Sequence, residues 1–414
     1  MLKQNQLLMI IFSVALATIL LGGGLALAAQ ISQIRATTSS DGANRDSRDA
    51  SISDDGTKVV FESDSDFFSQ GIVTGQQEIW LYDTTTMTLT RITTSTDGAN
   101  RDSRDPSISG DGTRIAFKSD SDFLGQGLGQ GQDEIWIYDM TTMTYTRITS
   151  STDGGNRNSN DPSLNEDGTR VAFESEADFL KQGIANIQFE IWIYDTTTMT
   201  FTRVTSSSNG PTRRSRDPSL NADGTRVAFQ SDSNLLGQEV VEGQREIWIY
   251  DTTTMTYTRV TTSSDGSNRS SSKASLSADG TKVAFQSSSD LLGQGSSQTE
   301  IWLYDTTMMT YTRITSITGG GNRGSELASI SADGKKVAFE SDIDFFGQGL
   351  PVFQDEIWIY DTETMTVTRI TTAPTDATDG EEPSLNGDGT IVAFESDSDF
   401  LGQGVVAAGT FDQI

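Results

Sequence analysis

Six arginines recur at one spacing, each ten residues ahead of an Asp-Gly pair: Arg45, Arg101, Arg157, Arg213, Arg269 and Arg323. A seventh Asp-Gly has Thr378 in that place. A guanidinium presents a rigid fork of donors matched to carboxylate or sulfate, so such a set can grip an anionic ligand. Four residues after these positions stand Asp49, Asp105, Asp161 and Asp217, then Lys273, Leu327 and Glu382. The same spacing also suits a belt of Arg–Asp pairs between repeated units, which needs no ligand. The candidate binding residues are therefore the six arginines, together with Lys273, Glu326 and Glu382, where the acidic pattern breaks.

A second spacing carries pairs of acids: Asp64/Asp66, Asp120/Asp122, Glu176/Asp178, Asp342/Asp344 and Asp397/Asp399, thinning to Ser288 and Asp290. Oxygen ligands at i and i+2 can open a Ca²⁺ loop, but no Asp-x-Asp-x-Asp-Gly run follows. The expectation is turn-capping carboxylates and no cofactor, with Ca²⁺ as the alternative. The chain has no histidine and no cysteine. That removes the imidazole general base, the Ser-His-Asp and Cys-His pairs, disulfides and thiolate zinc sites. Any enzyme would have to work with carboxylates, Tyr or Lys, as glycosidases do. No such pair stands out from the repeated background, so no catalytic residue is assigned.

The elements that must position these residues follow from internal periodicity. Asp-Gly recurs at Asp55, Asp111, Asp167, Asp223, Asp279, Asp333 and Asp388, at steps of 54 to 56 residues, with Phe six residues after each Asp. All six tryptophans sit in Glu-Ile-Trp-(Ile/Leu)-Tyr-Asp. Each unit reads as four strands: a short strand such as Pro106-Ser107-Ile108, an Asp-Gly turn of type I′, Arg/Lys-Val-Ala-Phe, the Trp strand, then a strand such as Tyr145–Thr149. The middle strands are apolar on both faces, as sheets stacked face to face require. The spacing predicts an all-β fold, a seven-bladed β-propeller of four-stranded antiparallel blades. Residues 31–38 align with a fourth strand, Arg35 lying 20 residues before Asp55 as Arg91 does before Asp111. This N-terminal strand is expected to complete the last blade and close the ring, where Phe411–Ile414 resembles the start of a Trp strand and the repeat then stops short.

Residues 1–29 differ in kind, with Lys3 the only charge, an apolar run from Leu7 to Leu21, and Ala26-Leu27-Ala28 at signal-peptidase spacing. The expected organisation is a signal peptide, 1–29, then a propeller, 30–414, whose last blade is cut short. The protein is expected to be exported, to the periplasm or the medium, without membrane insertion once the leader is cleaved. A net charge of −29 repels phosphate backbones, so nucleic acid is not an expected partner.

The repeated Pro-Ser-Ile-Ser-x-Asp-Gly-x-x-Val-Ala-Phe-x-Ser, followed by a Trp-centred strand ending in Asp, resembles the WD40-like PD40 repeats of TolB-type propellers. The resemblance covers residues 31–414; the additional N-terminal α/β domain of TolB has no counterpart in it. It implies a binding platform, and the ring mouth as the place for a ligand. In related repeats a Gly follows the third strand where this chain has Met87, Met143, Met199, Met255, Met309 and Met365. If that position takes a positive φ, Met is strained there; packing beneath each blade is the expected role. The functional expectation is a monomeric, non-catalytic binding or scaffold protein for a protein or glycan partner. The alternatives are a carboxylate-based glycan-active hydrolase or lyase, or a structural envelope component.

Overall fold

The computed structural model describes residues 8–14, 30–37, 46–72, 75–95, 101–150, 157–184, 188–206, 213–237, 240–241, 243–262, 269–295, 298–316, 323–347, 350, 354–372 and 380–396. Arg45, Thr378, Asp397, Asp399 and the Phe411–Ile414 segment lie outside them. One unit shows why the repeat folds as it does. Ser103–Ile108, Arg114–Ser119, Glu134–Asp139 and Thr144–Arg147 form an antiparallel meander in sequence order. In register, Phe117 lies opposite Trp136, and both are fully buried. The face-to-face packing is explicit in one cluster: Ala116, Ile135 and Ile137 of this blade meet Val171, Phe173 and Trp192 of the next. Burying such side chains at roughly 25 cal/mol per Å² of apolar surface is what holds neighbouring sheets together.

The expectation of seven blades is corrected: six blades are complete, spanning 47–91, 103–147, 159–203, 215–259, 271–313 and 325–369. The last repeat supplies only Gly380–Leu385 and Ile391–Ser396. Its sheet is filled out by Leu8–Val14 and Gln30–Arg35, in the order Gln30–Arg35, Leu8–Val14, Ile391–Ser396, Gly380–Leu385. Gln30–Arg35 thus takes the outer place. The third place is held by Leu8–Val14, which lies within the stretch expected to be a signal peptide. No helix among the described residues is long and apolar enough to cross a membrane.

Backbone hydrogen bonds run from one inner hairpin to the next. Asp54 N–H donates to Gly110 O at 2.9 Å, Glu166 to Ala222 at 3.0 Å, Ala278 to Ala332 at 2.9 Å, and Gly387 back to Asp54 at 2.9 Å. The Asp-Gly hairpins are not type I′. Only the glycine has positive φ, 70° at Gly56, and Gly56 N–H donates to Ser53 O at 2.9 Å. This is a type I turn closed by a left-handed glycine, the longer hairpin solution. Asp55 serves it by accepting from Thr57 N–H at 2.9 Å and Ser53 Oγ at 2.7 Å.

The six methionines do adopt positive φ, 54–56°, and are 67–76% exposed, so they do not pack beneath the blades. Glycine is required more strictly at Gly224 (φ 65°). A Cβ there would stand 2.7 Å from Arg170 Cδ, and Arg170 Nη1 donates to Gly224 O at 3.0 Å. Gly224→Ala is expected to lower unfolding stability by about 1–2 kcal/mol, from the left-handed backbone and the displaced inter-blade latch. Chemical denaturation of the two proteins measures it.

Candidate functional site

Strand alternation would leave the first strand of each repeat flat, but each carries a bulge. Arg104 pairs with Lys118 and Ser107 with Ala116, so Asp105 and Pro106 together face the single residue Phe117. The first bulge residue is left-handed in all seven repeats: Asp49 (54°), Asp105 (51°), Asp161 (49°), Asp217 (51°), Lys273 (53°), Leu327 (50°) and Glu382 (48°). Glycine usually fills such a place, and Pro tolerates the next because it has no ladder N–H to lose. Bulges re-aim side chains, and backbone strain of this kind concentrates at functional sites. Here the seven residues converge on one end of the central channel and line a cavity of about 320 Å³.

A second tier supports them from the Phe strands. Asp105 N–H donates to Glu62 Oε2 at 2.9 Å, Leu327 N–H to Gln286 Oε1 at 2.8 Å, and Glu382 N–H to Glu340 Oε2 at 3.1 Å. Each acceptor comes from the preceding repeat, so the ring of bulges is tied blade to blade. Lys118 Nζ lies 2.6 Å from Asp105 Oδ2 and Lys273 Nζ 2.9 Å from Asp217 Oδ1. Glu62 is held by Arg48 Nε at 3.1 Å.

Carboxylates crowded away from water titrate high. Burial, then the Glu382 charge and a hydrogen bond to its carboxyl, push Asp49 well above the ordinary range. Burial and the charges of Asp49 and Asp105 raise Glu62. Burial, Glu174 and neighbouring acids raise Asp161. Glu174 is raised by burial to about 7, and burial with Asp355 and Glu381 raises Glu340. Oxygens of Asp49, Glu62 and Asp105 lie within 4.8 Å of one another. Three such ligands fall short of the six to eight oxygens Ca²⁺ takes, leaving water to supply the rest.

The arginines found by spacing go elsewhere. Arg157 Nη1 donates to Glu176 O at 2.5 Å, Arg213 Nη1 to Val240 O at 3.0 Å, and Arg323 Nη2 to Leu350 O at 2.9 Å. Arg101 and Arg269 donate likewise to Asp120 O and Ser288 O. These five fasten the long loop between the second and third strands of their own blade, and none of them lines the central cavity. Glu326 is exposed on its strand, whereas Lys273 and Glu382 lie in the mouth. The i, i+2 acids are engaged with backbone. Asp66 accepts from Gln70 and Gly71 N–H, both at 2.6 Å, and Asp64 from Asp46 N–H at 2.8 Å and Gly75 N–H at 2.7 Å. The bulge acids were visible in sequence only as partners of the arginines; Pro at the next position was the available signal for a bulge.

No family model matches the sequence. No curated protein matches it. Among solved structures, an oligogalacturonate lyase in complex with manganese aligns at TM-score 0.58 and 14% identity, over 96% of this chain and 98% of that one. The β-propeller domain of the Trilobed protease from Pyrococcus furiosus aligns at TM-score 0.53 and 14% identity, over 85% and 89%. TolB from Acinetobacter baumannii aligns at TM-score 0.43 and 21% identity, over 74% of this chain and 62% of that one, a score too low to carry an argument. At these identities the likeness shows the fold alone, an all-β propeller, which enzymes and binding proteins share.

Proposed function

We propose that the chain is an exported, non-catalytic binding module whose mouth receives a cationic segment of a partner protein. The observation that carries this is the charge of the bulge ring. Five of the seven left-handed positions are acids, and among the described residues only Asp105 and Asp217 have an ammonium within ion-pair distance. A Lys or Arg side chain entering the channel would meet Asp49, Asp161 and Glu382 in a partly desolvated place, where a charge-assisted bond is at its strongest. Because Asp49 and Asp161 titrate high, such a ligand displaces protons on binding, and its affinity rises with pH. Calorimetric titration with a lysine-rich peptide tests the reading. Asp49→Asn with Asp161→Asn is expected to weaken binding by about tenfold or more, each tenfold being about 1.4 kcal/mol. Unchanged affinity refutes the mouth as the site.

One observation favours a second reading, a carboxylate-based glycan-active enzyme: Asp49, pushed well above the ordinary range, stands in a cluster with Glu62 and Asp105 whose oxygens lie within 4.8 Å of one another. Turnover of an acidic polysaccharide that disappears in Asp49→Asn would select this reading over the first.

A further inference from the structure

The blade spanning 215–259 breaks the charge pattern of its neighbours. Immediately before the first strand other units carry Asp46, Asp102, Asn158, Ser270 or Gly324, and this one Arg214. Before Glu-Ile-Trp others carry Gln77, Asp133, Phe189, Thr299 or Asp355, and this one Arg245. Arg216 has counterparts in Arg48 and Arg104, but those are ion-paired, with Glu62 at 3.1 Å and Asp102 at 2.7 Å. Among the described residues Arg216 has no carboxylate at that distance. Its guanidinium lies 4.7 Å from the ring centre of Phe189, and that of Arg214 at 6.0 Å. Phe189 is itself the exception at its position. It orders two guanidiniums by stacking and leaves their donor edges unspent.

A cavity of about 590 Å³ opens among Arg214, Arg216, Arg245, Lys273, Gln230 and Gln286, beside the mouth. Two of its three acids are engaged, and the third, Asp161, also lines the mouth. Asp232 accepts from Arg214 N–H at 2.8 Å and Gly243 N–H at 3.0 Å, and Asp217 binds Lys273 and the Gln230 amide. Gln230 Oε1 is buried with no donor, and a buried acceptor left unmet is destabilising until a ligand supplies one.

We propose that this cavity binds a small acidic saccharide, its carboxylate or sulfate held by Arg214, Arg216 and Arg245 and a hydroxyl donated to Gln230. The volume suits a ligand of one to three sugar residues. The mixture of free guanidiniums with carboxylate and amide acceptors selects a ligand that has both anionic and hydroxyl groups. A purely anionic peptide would face Asp161 and Asp217. The cavity shares Asp161, Asp217 and Lys273 with the mouth, but the three arginines lie outside the mouth, so a loss of affinity in their variants reports this cavity alone.

The test is calorimetric titration of the full chain with a glucuronate-containing disaccharide, a neutral disaccharide and a tri-glutamate peptide. The acidic disaccharide is expected to bind, and the neutral one at least about tenfold more weakly, since it lacks the charge-assisted forked contact. Arg216→Gln and Arg245→Gln are each expected to cost about tenfold. Arg245 is exposed and its substitution should leave the melting temperature unchanged, so its loss of affinity is not a folding effect. Equal binding of the neutral sugar, tighter binding of tri-glutamate, or affinity unaffected in both variants overturns the proposal.

Discussion

The protein is expected to melt at a higher temperature near pH 5 than near pH 8, a range over which well-solvated carboxylates, with the same proton affinity folded and unfolded, would contribute no change. Asp49, Glu62, Asp161, Glu174 and Glu340 all titrate above their ordinary range in the folded chain, Glu174 at about 7. An acid raised on folding holds its proton more tightly in the native state than in the unfolded one. Its stabilising effect is full below the unfolded value, near 4, and is lost as pH rises through the folded value. Other acids act in the opposite sense in a different window. Asp139, lowered to about 2 mainly by the Thr141 hydroxyl and the Thr141 and Thr142 amides, is worth stability above pH 4 that disappears only as pH falls towards 2. Asp251, capped in the same way, is lowered too. The two sets together place the maximum at about pH 4–5 and a decline towards pH 8. A tenfold difference in proton affinity between the folded and unfolded chain is worth about 1.4 kcal/mol, so several such groups should move the midpoint by roughly 5 °C or more. Thermal melts across pH at fixed ionic strength measure this, and a midpoint rising from pH 5 to pH 8 would show that the mouth acids are ionised and relaxed.

Asp161→Gly is expected to stabilise the fold while weakening binding at the mouth. Two causes add. Asp161 holds φ at 49°, where a side chain costs about 1–2 kcal/mol that glycine avoids, less the roughly 0.5–1 kcal/mol that glycine's unfolded-state freedom costs. Its carboxyl is also crowded by Glu174, Asp105 and Asp217. At pH 8 the gain should be about 1–2 kcal/mol. Asp161→Asn removes only the charge. Its advantage should therefore shrink towards pH 5, as the raised Asp161 carboxyl takes up its proton, while part of the glycine gain persists. Denaturant unfolding of the three proteins at both pH values separates backbone strain from charge. A loss of stability in Asp161→Gly at pH 8 would mean that the bulge residue is structural.

The periodic features were legible in the sequence because each strand's pattern is local. Phe117 opposite Trp136, the Asp-Gly hairpins and an outer-strand role for residues near Arg35 all follow from spacing. Blade number was not, because the count of inner hairpins says nothing of which backbone fills the last sheet. The mouth was half legible. Spacing coupled four of the arginines to an acid four residues on and drew attention to the arginines. The path of the loop between the second and third strands then decided their fate, since its carbonyls, at Asp232 and Val240 for Arg213, consume the guanidinium. The acids mattered for a reason invisible in one sequence: a left-handed bulge occupied by Asp, Lys, Leu or Glu where glycine would be unstrained. The asymmetry of Arg214, Arg216 and Arg245 was readable by aligning the repeats with one another. Its meaning comes from Phe189 of the preceding blade, which lies beneath Arg214 and Arg216.

The measurement that bears most directly on the cation-binding mouth is the affinity of the lysine-rich peptide for three proteins of controlled charge. These are the unsubstituted chain, Asp49→Asn with Asp161→Asn, and Glu166→Gln with Glu363→Gln on the turn-bearing face. The two double variants carry the same formal net charge. Only the mouth variant should lose affinity, by about tenfold or more, and the loss should be larger at pH 8 than at pH 5.5. Equal losses in both would reduce the binding to the general attraction of an acidic surface and contradict the account.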